Sequence, residues 1–173
     1  TRTINSVNAL DFVSANDDHF DLLNPIDTSS GVSGVVIFNL DSGGTNRPLI
    51  GSSGAGGFTL RTNSSRQLQV VRTSESALLT GATALSTGTD YIVGFRATDT
   101  SIDLYINGGT ADATTTTNPA FTAVSDYIGQ SITTNWDGLI GLVATYSGHL
   151  SDADLNAVAN AAATRYGLTW TDI

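Results

Sequence analysis

Side-chain oxygens in two short segments are the first candidates for chemistry in this sequence. Asn16-Asp17-Asp18 lies near the start of the chain and Asn135-Trp136-Asp137 lies near its end. Ca²⁺ in proteins takes about six to eight oxygen ligands, which come from carboxylates, amides and carbonyls. Neither segment has the continuous pattern of an EF-hand loop, so solvated turn residues are the alternative interpretation.

Trp136 is a candidate for a second kind of chemistry, because a flat aromatic side chain on a loop suits the face of a pyranose ring. Asn135 and Tyr127 are the nearby candidates for contacts with such a ligand. Packing in the core is the alternative for Trp136, since large aromatic side chains usually serve burial. Strand alternation alone does not say which side of its strand Tyr127 exposes.

The residues that catalysis would need are sparse. Glu75 is the only glutamate, so paired carboxylates for acid–base work would have to be an Asp pair. Asp41-Ser42-Gly43-Gly44 is explained by a turn between strands, and the glycine-rich segment Gly51–Gly57 lacks the Gly-Lys-Ser/Thr of a phosphate-binding loop. His19 and His149 are isolated, which is typical of surface or turn residues. We therefore predict that the chain is not an enzyme.

The charge of the chain excludes several partners. Its 173 residues carry a formal net charge of −9, with seven Arg, no Lys and 15 Asp. Nucleic-acid binding needs clustered cations to neutralise phosphates, so nucleic acid is not an expected partner. The longest apolar runs are too short to cross a bilayer, so we also expect no membrane insertion. The chain has no Cys, so we expect no disulfide and no Cys-based metal site. It begins at Thr1 and contains no Met, from which we expect a processed product or a segment of a longer chain.

The elements that must position these residues are mainly strands. Thr, Ser, Gly and Asp dominate the sequence, while the strong helix formers Glu and Lys are almost absent. Alternating or continuous apolar segments separated by turn residues predict strands at 9–13, 34–40, 58–62, 67–72, 91–97, 101–106, 126–129 and 138–146. Thr98-Asp99-Thr100 is a predicted hairpin turn, Asn107-Gly108 a predicted type I′ turn, and Thr114–Thr117 with Asn118-Pro119 a predicted polar loop.

One helix is predicted near residues 151–166. Ser151 is a good N-cap and Asp154 stands three residues later, where a carboxylate can complete a capping box. Apolar residues then follow at helical spacing, and Gly167 suits the left-handed stop after the last turn. We expect Trp170, beyond the helix, to pack back on the sheets.

Three groups of segments follow one another along the chain in an informative order. They are Ala9–Phe12 with Asn16–Asp18 and Phe20–Leu22; Tyr91–Gly108; and Asp126–Gly129 with Trp136–Gly141 and Tyr146–Asp154. Together they span nearly the whole chain and resemble the laminin-G-like/concanavalin-A-like lectin superfamily, especially its bacterial and phage members. The resemblance implies an all-β fold: a two-sheet antiparallel β-sandwich, or jelly roll, with one short C-terminal helix near 151–166, forming a single domain over 1–173.

The resemblance also implies that the terminal strands are neighbours, so that the two oxygen-rich segments could meet at one rim. Asn16, Asp18 and Asp137 would then be the ligands of a Ca²⁺ ion. Trp136 stands two residues before Gly138, at a position that resembles a structural aromatic of the family. The paired glutamates of the glycosidases on this fold are missing.

The sequence therefore predicts a non-catalytic recognition module that binds a glycan, through loops at one rim or through a concave sheet face. We expect it outside the cell, on a phage virion or a bacterial surface. A structural decoration or assembly domain that binds other protein subunits is the alternative, and a polysaccharide-degrading enzyme is the third interpretation.

Overall fold

A computed structural model describes residues 2–98, 100–117, 120–132 and 134–173. These residues form sixteen strands and one α-helix, as well as a 3-10 turn at Ser14–Asn16. The strands are β1 Thr3–Ile4, β2 Val7–Asn8, β3 Leu10–Phe12, β4 Phe20–Ile26, β5 Val32–Leu40, β6 Arg47–Gly51, β7 Phe58–Thr62, β8 Gln67–Arg72, β9 Ala77–Ala84, β10 Asp90–Ala97, β11 Ile102–Ile106, β12 Ala113–Thr115, β13 Ser125–Ile128, β14 Gln130–Ser131, β15 Thr134–Asn135 and β16 Gly138–Ser147. The helix, α1, is Asp152–Tyr166.

Twelve of these strands form two antiparallel six-stranded sheets. Sheet I has the order β12-β11-β10-β5-β16-β3, and sheet II has the order β4-β13-β6-β7-β8-β9. The short pairs β1-β2 and β14-β15 form separate hairpins. The predicted two-sheet antiparallel sandwich with a C-terminal helix is confirmed.

Sheet I is the middle layer of the molecule, because both of its faces are covered. All nine residues of β5 are buried. Val36 and Phe38 lie in the core between the two sheets, whereas Val35 and Ile37 belong to a second apolar cluster under α1. Full burial of each such side chain contributes about 1.5–3 kcal/mol. This double coverage explains why the segment is continuously apolar instead of alternating.

Helix α1 begins and ends at the predicted residues. The Ser151 hydroxyl accepts a hydrogen bond from the Asp154 N–H at 3.2 Å and donates one to the Asp154 carboxylate at 2.7 Å. Gly167 has a φ of 61° and ends the helix. The helix packs Leu155 and Tyr166 against sheet I. Trp170 returns to the same cluster, as expected.

A buried cation joins the start of α1 to sheet I. Arg96 on β10 is 5% exposed. Its guanidinium donates to the carboxylate of Asp152 at 2.6 Å, to the carbonyl of Leu150 at 3.3 Å and to the hydroxyl of Tyr105. Burial raises the pKa of Tyr105. The helix N-terminus is therefore tied to the sheet by polar contacts as well as by apolar packing.

Most predicted strands are found within one or two residues of their predicted bounds, and β7 and β8 match in full. The predicted loop at Thr114–Thr117 is wrong in part, because Ala113–Thr115 pairs with β11 as an edge strand. Asp99 of the predicted turn and Asn118-Pro119 of the predicted loop lie outside the described residues. Among the described residues, no helix is long and apolar enough to cross a membrane.

Candidate functional site

The two oxygen-rich segments of the sequence meet at one end of the sandwich, which we call the Asp137 rim (residues 13–19, 41–46, 129–132 and 134–137). The N–H of Ser14 donates to Asp137 at 3.3 Å, and the Asn135 amide donates to the carbonyl of Ser14 at 3.5 Å. The Gln130 amide donates to Asp17 at 2.7 Å and to Asn135 at 3.0 Å. Strand β3 pairs with β16 at Gly138–Ile140, which brings the ends of the chain together. The predicted meeting of the two segments is confirmed.

Asp137 is surrounded by hydrogen-bond donors. Its carboxylate accepts from the Ser42 hydroxyl as well as from the Ser14 N–H. Burial acts to raise the pKa of Asp137, but the hydrogen bonds from Ser42 and Ser14, with the positive charge of Arg47, lower it below the ordinary value overall. Arg47 in turn donates to the carbonyl of Asn135 at 3.0 Å. Asp137 therefore connects three loops as a carboxylate.

This arrangement does not fit a Ca²⁺ ligand set. The oxygens of Asp137 accept from an N–H and an O–H group, and one oxygen of Asp18 accepts from the N–H of Val13 at 2.9 Å. Asn16 lies at the end of the 3-10 turn Ser14–Asn16. Within the described ranges, no three His, Asp or Glu side chains come together as a possible metal site. Binding of Ca²⁺ by Asn16, Asp18 and Asp137 stays a prediction that this geometry does not support.

Trp136 is buried in the core, which corrects the prediction of a sugar-stacking side chain. The residue is 0% exposed, and its ring contacts Phe38 edge-to-face at 5.3 Å between centroids. A ring with no exposed face cannot stack on a ligand. The alternative, in which Trp136 packs, describes the structure.

Asn135 and Tyr127 are both partly accessible but lie in different surroundings. The Asn135 side chain is used within the rim, between Ser14 and Gln130. Tyr127 lies on β13 beside His19, with the two rings edge-to-face at 5.4 Å. The contacts of Asn135 and Tyr127 do not decide whether either side chain binds a ligand, so these roles stay predictions.

The β14-β15 hairpin covers part of the outer face of sheet II, the face turned away from sheet I. Gly51 on β6 allows this approach, because a Cβ atom there would lie 1.9 Å from the carbonyl oxygen of Gln130. The Ser131 hydroxyl lies 3.4 Å from the Thr59 hydroxyl on β7 and donates to the carbonyl of Ser52 at 3.4 Å. The hairpin therefore lies over β6 and the adjacent part of β7.

Beyond the hairpin, three polar side chains form a hydrogen-bonded row across β7, β8 and β9. Arg61 donates through Nε to the amide oxygen of Gln69 at 3.1 Å, and Gln69 donates to the hydroxyl of Thr80 at 3.0 Å. Each of the three stands next to a residue of the inter-sheet core, so alternation turns the row outward. We call Arg61, Gln69 and Thr80 the Arg61 row.

Arg61 is the electrostatically unusual member of this row. It is half-buried, and burial lowers its pKa. No described carboxylate lies within ion-pair distance of its guanidinium, although Arg2, Arg72 and Arg96 all have acidic partners. The guanidinium Nη groups, the Gln69 amide and the Thr80 hydroxyl offer donors and acceptors on one exposed face. Such a set can bind hydroxyl groups or an anionic oxygen.

The Arg61 row was not predicted as a site from the sequence. The sequence does contain a sign of it, because polar and apolar residues alternate in 58–62 and 67–72. This alternation places Arg61 and Gln69 on the face of the sheet opposite to that of Leu60, Leu68 and Val70. Alternation gives two faces without saying which one remains exposed. That choice depends on α1, which covers sheet I, and on the β14-β15 hairpin, which leaves the outer face of sheet II accessible to solvent only beyond β6 and the adjacent part of β7.

The fold and the sequence agree on the family. A family model described as the concanavalin A-like lectin/glucanases superfamily matches residues 14–156. The chain belongs to this superfamily. None of the curated proteins matches the sequence.

Solved structures share the fold at low sequence identity. A candidate carbohydrate-binding protein from Bacteroides ovatus is 18% identical with a TM-score of 0.65, over 85% of this chain and 45% of that chain. The CBM40 module of the Ruminococcus gnavus IT-sialidase is 18% identical with a TM-score of 0.58, over 89% of this chain and 99% of the module. Domain 4 of AbnA, an extracellular arabinanase from Geobacillus stearothermophilus, is 19% identical with a TM-score of 0.61, over 77% of this chain and 68% of that chain. The chain thus spans less than half of the Bacteroides ovatus protein but nearly the whole Ruminococcus gnavus module.

Proposed function

We propose that the chain is a non-catalytic glycan-recognition module that binds its ligand on the outer face of sheet II, at the Arg61 row. The observation that carries the proposal is the row itself: a cation, an amide and a hydroxyl, already bonded to one another and turned outward across three strands. Side chains fixed in this way lose little conformational entropy when a ligand binds.

The chemistry of the row favours a sugar that bears a carboxylate. The chain carries a net charge of −9, yet Arg61 is partly desolvated without an acidic partner among the described residues. A carboxylate on the ligand would supply that partner, and Gln69 and Thr80 would bond neighbouring hydroxyl groups.

Structures with this fold agree with a glycan as ligand. The Ruminococcus gnavus module has been solved with α2,3-sialyllactose, and the arabinanase domain with arabinotriose. These ligands belong to those proteins, and for this chain they support only the class of ligand. We also propose that the module works outside the cell, on a bacterial surface or a virion, where such glycans are encountered.

A non-catalytic role is consistent with the position of Glu75. Its carboxylate pairs with Arg72 at 2.8 Å in a turn after β8. Hydrolysis of a glycosidic bond needs two carboxyl groups flanking the scissile bond. A reducing-sugar release assay on mixed polysaccharides should therefore give no signal above background, and steady release would contradict this part of the proposal.

The test of the recognition site is a glycan array probed with the purified chain and two matched charge-removal variants. Arg61→Gln should weaken binding to acidic glycans by about 10-fold to 100-fold, because hydrogen bonds to a charged group contribute about 1.5–3 kcal/mol. Arg66→Gln, which removes the same charge from an exposed turn, should leave binding within about twofold of the unmodified chain, since exposed surface charges contribute little.

Three results would contradict the proposal. They are a blank array, binding restricted to neutral glycans, and equal weakening by the Arg61 and Arg66 variants. Circular dichroism of each variant distinguishes loss of the site from loss of the fold.

A further inference from the structure

Strand β16 has an open edge over much of its length. It pairs with β5 from Gly138 to Ser147, but β3 covers its other side only at Gly138–Ile140. From Gly141 to Ser147, no described strand pairs with this second side. An uncovered edge presents unpaired N–H and C=O groups that can bind another strand.

This edge lacks the usual protection against pairing. Soluble proteins commonly blunt open edges with charged side chains, Pro or a covering loop. The segment Gly141–Ser147 contains no charged residue and no Pro. Its backbone pairs with β5 in continuous register from Leu142 to Ser147, after a bulge at Gly141 whose carbonyl accepts from the Tyr166 hydroxyl, so the segment from Leu142 onward is ready to accept a neighbour.

Apolar grooves flank the open edge on both sides. The groove toward sheet II is about 500 Å³ and includes Leu10, Phe20 and Leu23, of which Leu23 is 98% exposed. The groove toward α1 is about 480 Å³ and includes Tyr146 and Val158. A strand added to β16 would therefore place apolar side chains in a groove on each of its faces.

We propose that the occupant is a second copy of this chain, whose β16 pairs antiparallel with the first about a twofold axis near Ala144. The open segment is seven residues long in the numbering 141–147, and Ala144 is its midpoint. Under this symmetry Gly141 lies opposite Ser147 of the other copy. The incoming strand then leaves the sheet after its own Ser147, where Gly148 has a φ of 80°, and does not collide with β3.

The charges beside the groove are also self-complementary. Asp154, Val158, Ala161 and Arg165 follow one another at helical spacing along a stripe of α1, with an acid at one end and a base at the other. A twofold axis reverses the direction of the second helix. The acidic end of each stripe is then directed toward the basic end of the other, which lowers the repulsion expected between two copies of net charge −9.

This interface leaves the Arg61 row exposed in both copies. The open edge of β16 lies beside β4, the first strand of sheet II. The Arg61 row lies on β7, β8 and β9 at the other side of that sheet. The dimer would present two such rows, and the dimerisation proposal does not depend on what they bind.

The absence of Cys from the sequence allows a direct test by single-cysteine crosslinking. The carbonyl of Ala144 points toward β5, since a Cβ atom on Gly34 would lie 2.2 Å from its oxygen. Ala144 therefore forms a non-hydrogen-bonded pair with its symmetry mate, with Cα atoms about 4.5 Å apart. That separation is within the range of a disulfide. Ala144→Cys should form a covalent dimer under mild oxidation, whereas the control Ser64→Cys, on an exposed residue of the turn between β7 and β8, should not.

Sedimentation velocity over a wide range of concentrations provides the second measurement. The unmodified chain should form dimers, and Thr145→Pro should raise the dimer Kd by at least about tenfold. The N–H of Thr145 points away from β5, so Pro removes a bond to the second copy without removing one within the sheet. Leu23→Lys should weaken the dimer as well, and because Leu23 is almost fully exposed this variant keeps the fold.

A chain that stays monomeric at every concentration would overturn the proposal. Dimers that neither crosslink through Ala144→Cys nor respond to Leu23→Lys would overturn it too, because they would show that another surface associates. Circular dichroism confirms that each variant is folded.

Discussion

The carboxylate of Asp137 and the hydroxyl of Ser42 are hydrogen-bonded across the Asp137 rim, although the two residues are 95 positions apart in the sequence. The bond joins the loop after β5 to the loop before β16, and the N–H of Ser14 adds the loop after β3. One ionised side chain therefore holds three loops in place.

We expect Asp137 to make stability depend on pH. Its pKa in the folded chain is lowered, so it stabilises the fold above the unfolded pKa of about 4, and this contribution is lost as the pH falls through the folded pKa. Asp137→Asn should lower the free energy of unfolding by about 1–2 kcal/mol at pH 7. Urea denaturation between neutral and acidic pH should show this difference shrinking below about pH 4. Asp21→Asn, whose carboxylate is 75% exposed, is the control and should change little at any pH; a constant difference for Asp137→Asn would contradict the assignment.

Removing the buried cation under α1 should destabilise the chain. Arg96→Met keeps the aliphatic stem but leaves the Tyr105 hydroxyl and the Leu150 carbonyl without their donor. We expect a loss of about 2–3 kcal/mol in the free energy of unfolding, because unpaired buried polar groups keep their desolvation cost. Arg66→Met on an exposed turn is the matched control and should cost less than about 0.5 kcal/mol. Equal losses in the two variants would show that the contacts of Arg96 contribute nothing specific.

Trp136 should matter for stability and not for ligand contact. Trp136→Ala should cost about 3–5 kcal/mol, since it leaves a cavity beside Phe38. Trp136→Phe should fold, and any glycan that binds the unmodified chain should bind this variant with the same affinity. A folded Trp136→Phe chain that no longer binds its glycan would restore Trp136 as a ligand-binding residue.

Calcium should have no measurable effect on the folded chain. The candidate ligands Asp18 and Asp137 already accept hydrogen bonds from protein donors, so an ion would have to displace them. Millimolar Ca²⁺ should leave the Tm unchanged relative to chelator, and glycan-array signals should be the same in both buffers. A rise in Tm that Asp18→Asn abolishes would reinstate the calcium site.

The strands that were predicted accurately owe this to their burial pattern. In β7 and β8, Leu60, Leu68 and Val70 alternate with polar residues because one face of these strands packs against sheet I and the other faces solvent. Strand β5 was recognisable for the opposite reason, since both of its faces are buried. In each case the local pattern records the environment of the strand.

Strands β6 and β9 were not predicted because their local signals oppose the structure. Pro48 lies inside β6, where a ring nitrogen normally argues against a paired strand. Strand β9 reads Ala77–Ala84 and is rich in Ala and Gly, which have low strand propensity. Both segments become strands because neighbouring strands supply partners: β6 pairs with β13 and β7, and the edge strand β9 pairs with β8.

The residues of the candidate site also divide into those that the sequence predicts and those that it does not. The meeting of the segments 16–18 and 135–137 followed from the resemblance, in which the terminal strands are neighbours, whereas the Arg61 row required knowledge of which sheet face the helix covers. Trp136 was misassigned as a ligand contact because loop position and burial are independent properties. Its loop enters the core, which residue type alone does not reveal.

The position of β5 between β10 and β16 has a consequence for the synthesis of the chain. Strand β5 ends at Leu40, but its partner β16 begins only at Gly138. At a translation rate of about 5–20 residues per second, the wait between the two is on the order of 5–20 s. Throughout that interval a nine-residue apolar strand lacks one of its two neighbours. The nascent chain should therefore be a substrate for chaperones that hold extended apolar segments, and the yield of folded protein should fall when translation is slow and such chaperones are scarce.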